Sequence, residues 1–211
     1  MRKSATKPLL KRRPVVKQLL KDPGDDLLVI AGLGSSCWDI TAAGDRPLNM
    51  PLWGGMGAPV AMGLGLALAQ PAKRVLVITG DGDMLMSLGS LATVAAQQPA
   101  NLAIVVLDNE KFGETGNQAT HTSPRDNGPT ASGASADLSV IAKGCGFADS
   151  AIVRRPGDVA RLVKDARSAK GPVFRVVKVM TEKLELVMPP QDGALLKDRF
   201  RRALLGSEGR S

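Results

Sequence analysis

Two apolar runs, Val75-Leu76-Val77-Ile78 and Leu102-Ala103-Ile104-Val105-Val106-Leu107, each end in oxygen-bearing side chains: Gly80-Asp81-Gly82 follows the first and Asp108-Asn109 the second. Continuous apolar runs of this length read as strands buried on both faces, the mark of a parallel sheet. Residues 84–98 between them have the length of a helix and are closed by Pro99. A strand–helix–strand crossover puts both carboxyl ends on one sheet edge, where open α/β sheets bind ligands. Asp81 and Asn109 are therefore expected side by side at that edge.

Oxygen donors on neighbouring strand ends suit a hard divalent cation. Magnesium is usually held by one or two protein oxygens together with substrate phosphates. Gly80 and Gly82 would let the backbone pass close to a phosphate, and a helix starting near Asp83 would offer free amides and its positive end. The Gly-Lys-Ser/Thr ending of a P-loop and the third glycine of the nicotinamide fingerprint are both absent. A metal-bridged diphosphate is the expected occupant.

The segment from Gly80-Asp81-Gly82-Asp83 to Asp108-Asn109 resembles the thiamine diphosphate motif of the decarboxylase and acetolactate-synthase superfamily. The resemblance implies that Asp81, Asn109 and the main chain of Lys111 hold Mg2+. It also implies a diphosphate site around Gly80, Asp81, Gly82, Asp83, Asn109, Lys111, Phe112 and Gly113. An earlier segment, Leu52-Trp53-Gly54-Gly55-Met56-Gly57-Ala58-Pro59, agrees with it and leads into a glycine- and alanine-rich helix over 60–70. There the resemblance implies that the Gly54 carbonyl accepts a bond from the aminopyrimidine and that Gly55 lies against the cofactor. Met56 would prop the cofactor into its bent form; its residue type alone would suit a packed core equally.

Such enzymes need a glutamate against the pyrimidine ring, and the family supplies it from a separate pyrimidine-binding domain. No glutamate precedes Glu110 here, and the residues upstream of Gly80 are too few for another α/β domain. The resemblance, over 13–205, is to free-standing diphosphate-binding subunits of the sulfopyruvate decarboxylase type. Phosphonopyruvate decarboxylase is a relative with both domains in one chain. The activity implied is decarboxylation of a small 2-oxo acid by a hetero-oligomer whose alpha subunit binds the pyrimidine and supplies the glutamate. A carboligase subunit and a non-catalytic cofactor-binding scaffold are the alternatives.

The fold class expected is α/β, a single doubly wound and mainly parallel sheet with helices on both faces over 14–205. A basic tail, 1–13, would precede it and a short tail, 206–211, would follow. Its first strand would be 27–31, opening onto Gly32-Leu33-Gly34-Ser35-Ser36, a second anion contact or a plain helix cap. Helices are expected at 14–21, 137–143, 155–169 and 191–205, and a late strand at 172–180. Residues 122–136, rich in Ser, Pro, Gly and Asn, would form a flexible loop beside the active site. His121, the single histidine, stands at its root as a candidate substrate contact or proton relay.

Composition excludes other classes. The net charge of +8 invites a nucleic-acid reading, but residues 1–21 carry eight basic side chains and no acid, leaving 20 basic against 20 acidic residues beyond them. The charge reads as a property of the amino-terminal tail, without the aromatic residues that single-strand binding uses. No apolar run reaches membrane-spanning length. Cys37 and Cys145 form neither a disulfide framework nor a zinc spacing, as suits a cytoplasmic protein.

Overall fold

The computed structural model describes residues 10–124, 135–168 and 170–206. The chain runs α1 (Arg12–Leu19), β1 (Leu27–Ala31), α2 (Ser35–Ala43), β2 (Asn49–Pro51), α3 (Pro59–Ala69), β3 (Arg74–Gly80), α4 (Asp81–Met86), α5 (Gly89–Gln97) and β4 (Leu102–Asp108). It continues through a small hairpin, β5 (Lys111–Phe112) and β6 (Gln118–Ala119), to α6 (Leu138–Gly144), β7 (Asp149–Val153), α7 (Val159–Ser168), β8 (Val173–Lys178) and α8 (Gly193–Leu205).

Six strands form one parallel sheet in the order β2-β1-β3-β4-β8-β7. Its central strands are buried along their whole length, which explains their unbroken apolar sequence. Alternate side chains feed two cores. Leu27, Val29 and Ala31 of β1 join α1, α2 and α7 through Val16, Ile40 and Leu162. Leu28 and Ile30 join α3, α5 and α6 through Val60, Leu91 and Leu138. The expected doubly wound fold is therefore present. Among the described residues no helix is long and apolar enough to cross a membrane.

Several expectations are corrected. The helix expected over 84–98 is two helices, broken at Ser87-Leu88. Gly89, a poor helix former, opens the second, and Leu91, Val94 and Ala95 are its buried face. Strands β2 and β7 and the hairpin were not anticipated. β2 is three residues long, and β7 buries only Ser150 and Val153 fully, so neither carries a strong apolar run.

The amino-terminal charge is not wholly a tail. Leu10 is buried and bridges Val179. The Arg12 and Arg13 guanidinium groups, both inside the expected 1–13 tail, bind the fully buried Asp39 carboxylate at 2.7 and 3.0 Å. They pin α1 to α2, and removing Asp39 would strand two cations, a loss typically worth about 3–5 kcal/mol. Residues 1–9 and 207–211, with most of the expected 122–136 loop (125–134), lie outside the described residues.

Candidate functional site

The strand order dictates where a site can form. From β1 the chain turns to α2 on one face, whereas from β3 it turns to α4 and α5 on the other. The two connections diverge and leave a crevice at the carboxyl ends of β1 and β3, the usual binding place in such sheets. A cavity occupies it. Leu33, Gly34, Ser35 and Ser36 wall it from β1, Gly80 to Asp83 from β3, and Asn109, Lys111, Phe112 and Gly113 from β4. Met56 and Arg12 close its sides.

Nine of the residues singled out in the sequence thus share one cavity: Met56, Gly80, Asp81, Gly82, Asp83, Asn109, Lys111, Phe112 and Gly113. Gly54 and Gly55 lie in the loop leading to Met56 without walling the cavity. Met56 retains 36% exposure, so it is not a core residue. His121 is exposed and does not reach the cavity; its main-chain carbonyl accepts from Ala136 N at 2.7 Å.

Asp81 is almost fully buried at the first residue of α4. Its Oδ2 accepts a hydrogen bond from Thr120 Oγ1 at 2.5 Å and lies 3.0 Å from Thr122 Oγ1, whose single proton it shares with Asp108 Oδ1 at 2.9 Å. Burial, and then the neighbouring Asp108 charge, push the Asp81 carboxyl from 3.8 up to about 6. A folded-state pKa above the unfolded one gives stability that is full below about pH 4 and lost as pH rises through about 6. Without ligand, Asp81→Asn should therefore melt no lower than the native chain above about pH 7, and its relative advantage should shrink at about pH 4–5. Melting curves across pH check this. A native chain that outlasts the variant more at alkaline than at acid pH contradicts it.

The two glycines of the motif play unequal parts. A Cβ on Gly80 would meet nothing within 4 Å, so that backbone is open to an incoming group. A Cβ on Gly82 would come 2.6 Å from Phe112 Cε1, so this glycine makes room for the hairpin rather than for a phosphate. Asp83, a second acid next to the motif, is held by the protein itself. Its carboxylate accepts from Thr79 Oγ1 at 2.5 Å and from Gly57 N, tying α4 to the Met56 loop. A Cβ on Gly32 would lie 1.9 Å from Asp83 Oδ2, so a glycine there is a requirement of this arrangement.

The helix expected to start near Asp83 starts at Asp81 and is only six residues long. The nine-residue α2 gives the cavity a longer helix amino-terminus. Its N-cap is Gly34, at φ 72°, and no side chain caps the first amides, so Ser35 and Ser36 do not serve as a plain cap. Beside them, Cys37 donates to Gly32 O at 2.9 Å, and burial pushes its thiol up to about 12, which makes it a packing group.

Arg12, Thr120, Thr122 and Lys178 escaped the sequence reading. Arg12 was counted with a tail. The threonines were hidden in a polar run, where only their alternate spacing hinted at a shared target. Lys178 interrupts an apolar strand, and a buried lysine demands a carboxylate partner.

Among the described residues no three His, Cys, Asp or Glu side chains are grouped to hold a metal ion. A cation here would draw on one carboxylate, Asp81, on amide and main-chain oxygens, and on the ligand's own oxygens. That donor set suits magnesium carried by a diphosphate.

The family model for the thiamine pyrophosphate enzyme, C-terminal TPP binding domain, matches residues 34–177. The chain is 37% identical over 137 residues to sulfopyruvate decarboxylase subunit beta of Methanocaldococcus jannaschii, covering 65% of this chain and 67% of that one. It is 34% identical over 183 residues to the subunit of the same name in Methanothermobacter thermautotrophicus, covering 87% and 90%. Phosphonopyruvate decarboxylase of Streptomyces viridochromogenes is 32% identical over 200 residues, covering 94% of this chain and 47% of that protein. Benzoylformate decarboxylase from Polynucleobacter necessarius shares the fold, with a TM-score of 0.66 at 22% identity, over 84% of this chain and 34% of that one.

Proposed function

The chain belongs to the thiamine pyrophosphate enzyme family, and on that premise we propose that it is the diphosphate-binding subunit of a two-subunit 2-oxo acid decarboxylase of sulfopyruvate or phosphonopyruvate type. The observation that carries this reading is the gathering of Asp81, Asn109, Lys111 and the open amino-terminus of α2 around one crevice. Two relatives bearing the name of a beta subunit support a partner chain. We assign that partner the pyrimidine half of the site and its activating glutamate, in a cytoplasmic hetero-oligomer.

When bound, thiamine diphosphate supplies the electron sink that lets a 2-oxo acid lose carbon dioxide. The residues of this chain bind and orient. Asp81, the Asn109 side chain and the Lys111 main chain would hold Mg2+. The amides opening α2, with Ser35 and Ser36, would receive phosphate oxygens. Gly54 would accept the aminopyrimidine bond, beside Gly55, and Phe112, Gly113 and Met56 would wall the cofactor. Calorimetry should find thiamine diphosphate binding that requires magnesium. Binding indifferent to magnesium would remove the metal from the reading, and no binding by the complete complex would remove the reading itself.

Met56 offers a second test. A half-open side chain on the cavity wall costs little stability to trim. In the complete complex Met56→Ala should lower turnover by about ten- to a hundred-fold while changing cofactor affinity less, as expected of a misplaced reacting group. Full turnover in steady-state kinetics would leave Met56 as wall alone.

A further inference from the structure

We propose that Lys178, at the carboxyl end of β8, is a positioning residue for the loop that presents Asn109 and Lys111. The inference rests on the magnesium reading of Asp81, Asn109 and Lys111 given above. The Lys178 ammonium is buried, 2.6 Å from Asp108 Oδ2 and 3.0 Å from Glu110 Oε1. These partners flank Asn109 on both sides. Glu110 takes φ 62°, a left-handed conformation that a residue with a Cβ adopts at a cost.

Within the loop, Glu110 N donates to Asp108 Oδ1 at 3.2 Å and Lys111 N to Asn109 Oδ1 at 3.0 Å. Lys178 grips both carboxylates from outside, so the turn is held at two points. It also offsets charge. Asp108 and Asp81 share the Thr122 hydroxyl, and the Lys178 ion pair balances the Asp108 charge. The Asp81 carboxylate is then the one turned to the cavity and to a cation there. Outer partners of this kind typically govern metal affinity by about ten- to a hundred-fold.

The experiment is calorimetric titration of thiamine diphosphate with magnesium into the two-subunit complex, paired with melting temperatures. Lys178→Met should weaken binding by about ten- to a hundred-fold. Glu110 is partly exposed, so Glu110→Ala folds whatever the fate of Lys178→Met, and it should weaken binding by about tenfold. Glu110→Gln removes the same charge but keeps an acceptor for Lys178, and should restore affinity to within about threefold of native. A folded Lys178→Met or Glu110→Ala protein with native affinity overturns the inference, even if its melting temperature falls. So does a Glu110→Gln protein as weak as Glu110→Ala. Asp81→Ala separates the two claims: retained binding there defeats the magnesium reading, whereas its loss beside unaffected Lys178 and Glu110 variants defeats only this one.

Discussion

Purified alone, the chain should release no measurable carbon dioxide from a 2-oxo acid, and adding a pyrimidine-binding subunit should generate decarboxylase activity. The cavity lies at the mouth of a single six-stranded sheet, and the proposed diphosphate site lies within it. No glutamate precedes Glu110 in the sequence. Met56 on the cavity wall, Trp53 in the same loop and Met86 beside Gly57 remain exposed, apolar surface suited to a partner. Carbon dioxide release with aldehyde formation marks decarboxylation, and a condensed product marks the carboligase alternative. Strong release by the isolated chain would refute the two-subunit reading and point to Glu114. Asp39 is occupied by Arg12 and Arg13 and Asp45 by Arg199, whereas Glu114 faces the cavity.

Asp81→Ala should abolish thiamine diphosphate binding to below calorimetric detection and leave the fold intact. The carboxylate is the one acidic oxygen donor assigned to the cation, and nothing else that the protein contributes to the proposed donor set carries a charge. Its removal deprives Thr120 and Thr122 of an acceptor, which typically costs about 1–3 kcal/mol. Against this stands relief from burying two carboxylates around one hydroxyl. An unchanged far-ultraviolet spectrum with lost binding is the expected pair of results. Native affinity in the variant would sink the metal assignment.

Much of the frame was legible because it rests on local or periodic signals. β1, β3 and β4 are runs buried on both faces, and a continuous apolar sequence announces them. Asp137 and Asp192 cap α6 and α8 through hydrogen bonds to the second and third amides beyond them, and those helices begin within a residue or two of the expected positions. β7 lacked such a signal, because an edge strand buries only part of its length. The break between α4 and α5 was missed because helix propensity is a weak prior against the packing that aims each helix.

The sequence by itself determined which chemistry the chain could offer. Motif and spacing placed Asp81, Asn109 and their glycines at strand ends on one sheet edge, since parallel strands joined by a crossover all point their carboxyl ends the same way. Tertiary structure alone decided what each residue does there. Gly82 yields to Phe112, Asp83 turns to Thr79 and Gly57, and Arg12 leaves the tail to wall the cavity. Asp81 acquires its raised pKa from burial and then from the Asp108 charge, against the lowering effect of the Thr120 and Thr122 hydrogen bonds. Apart from Thr79, the partners lie dozens of residues away, and burial and charge pairing act through space, which sequence spacing does not record.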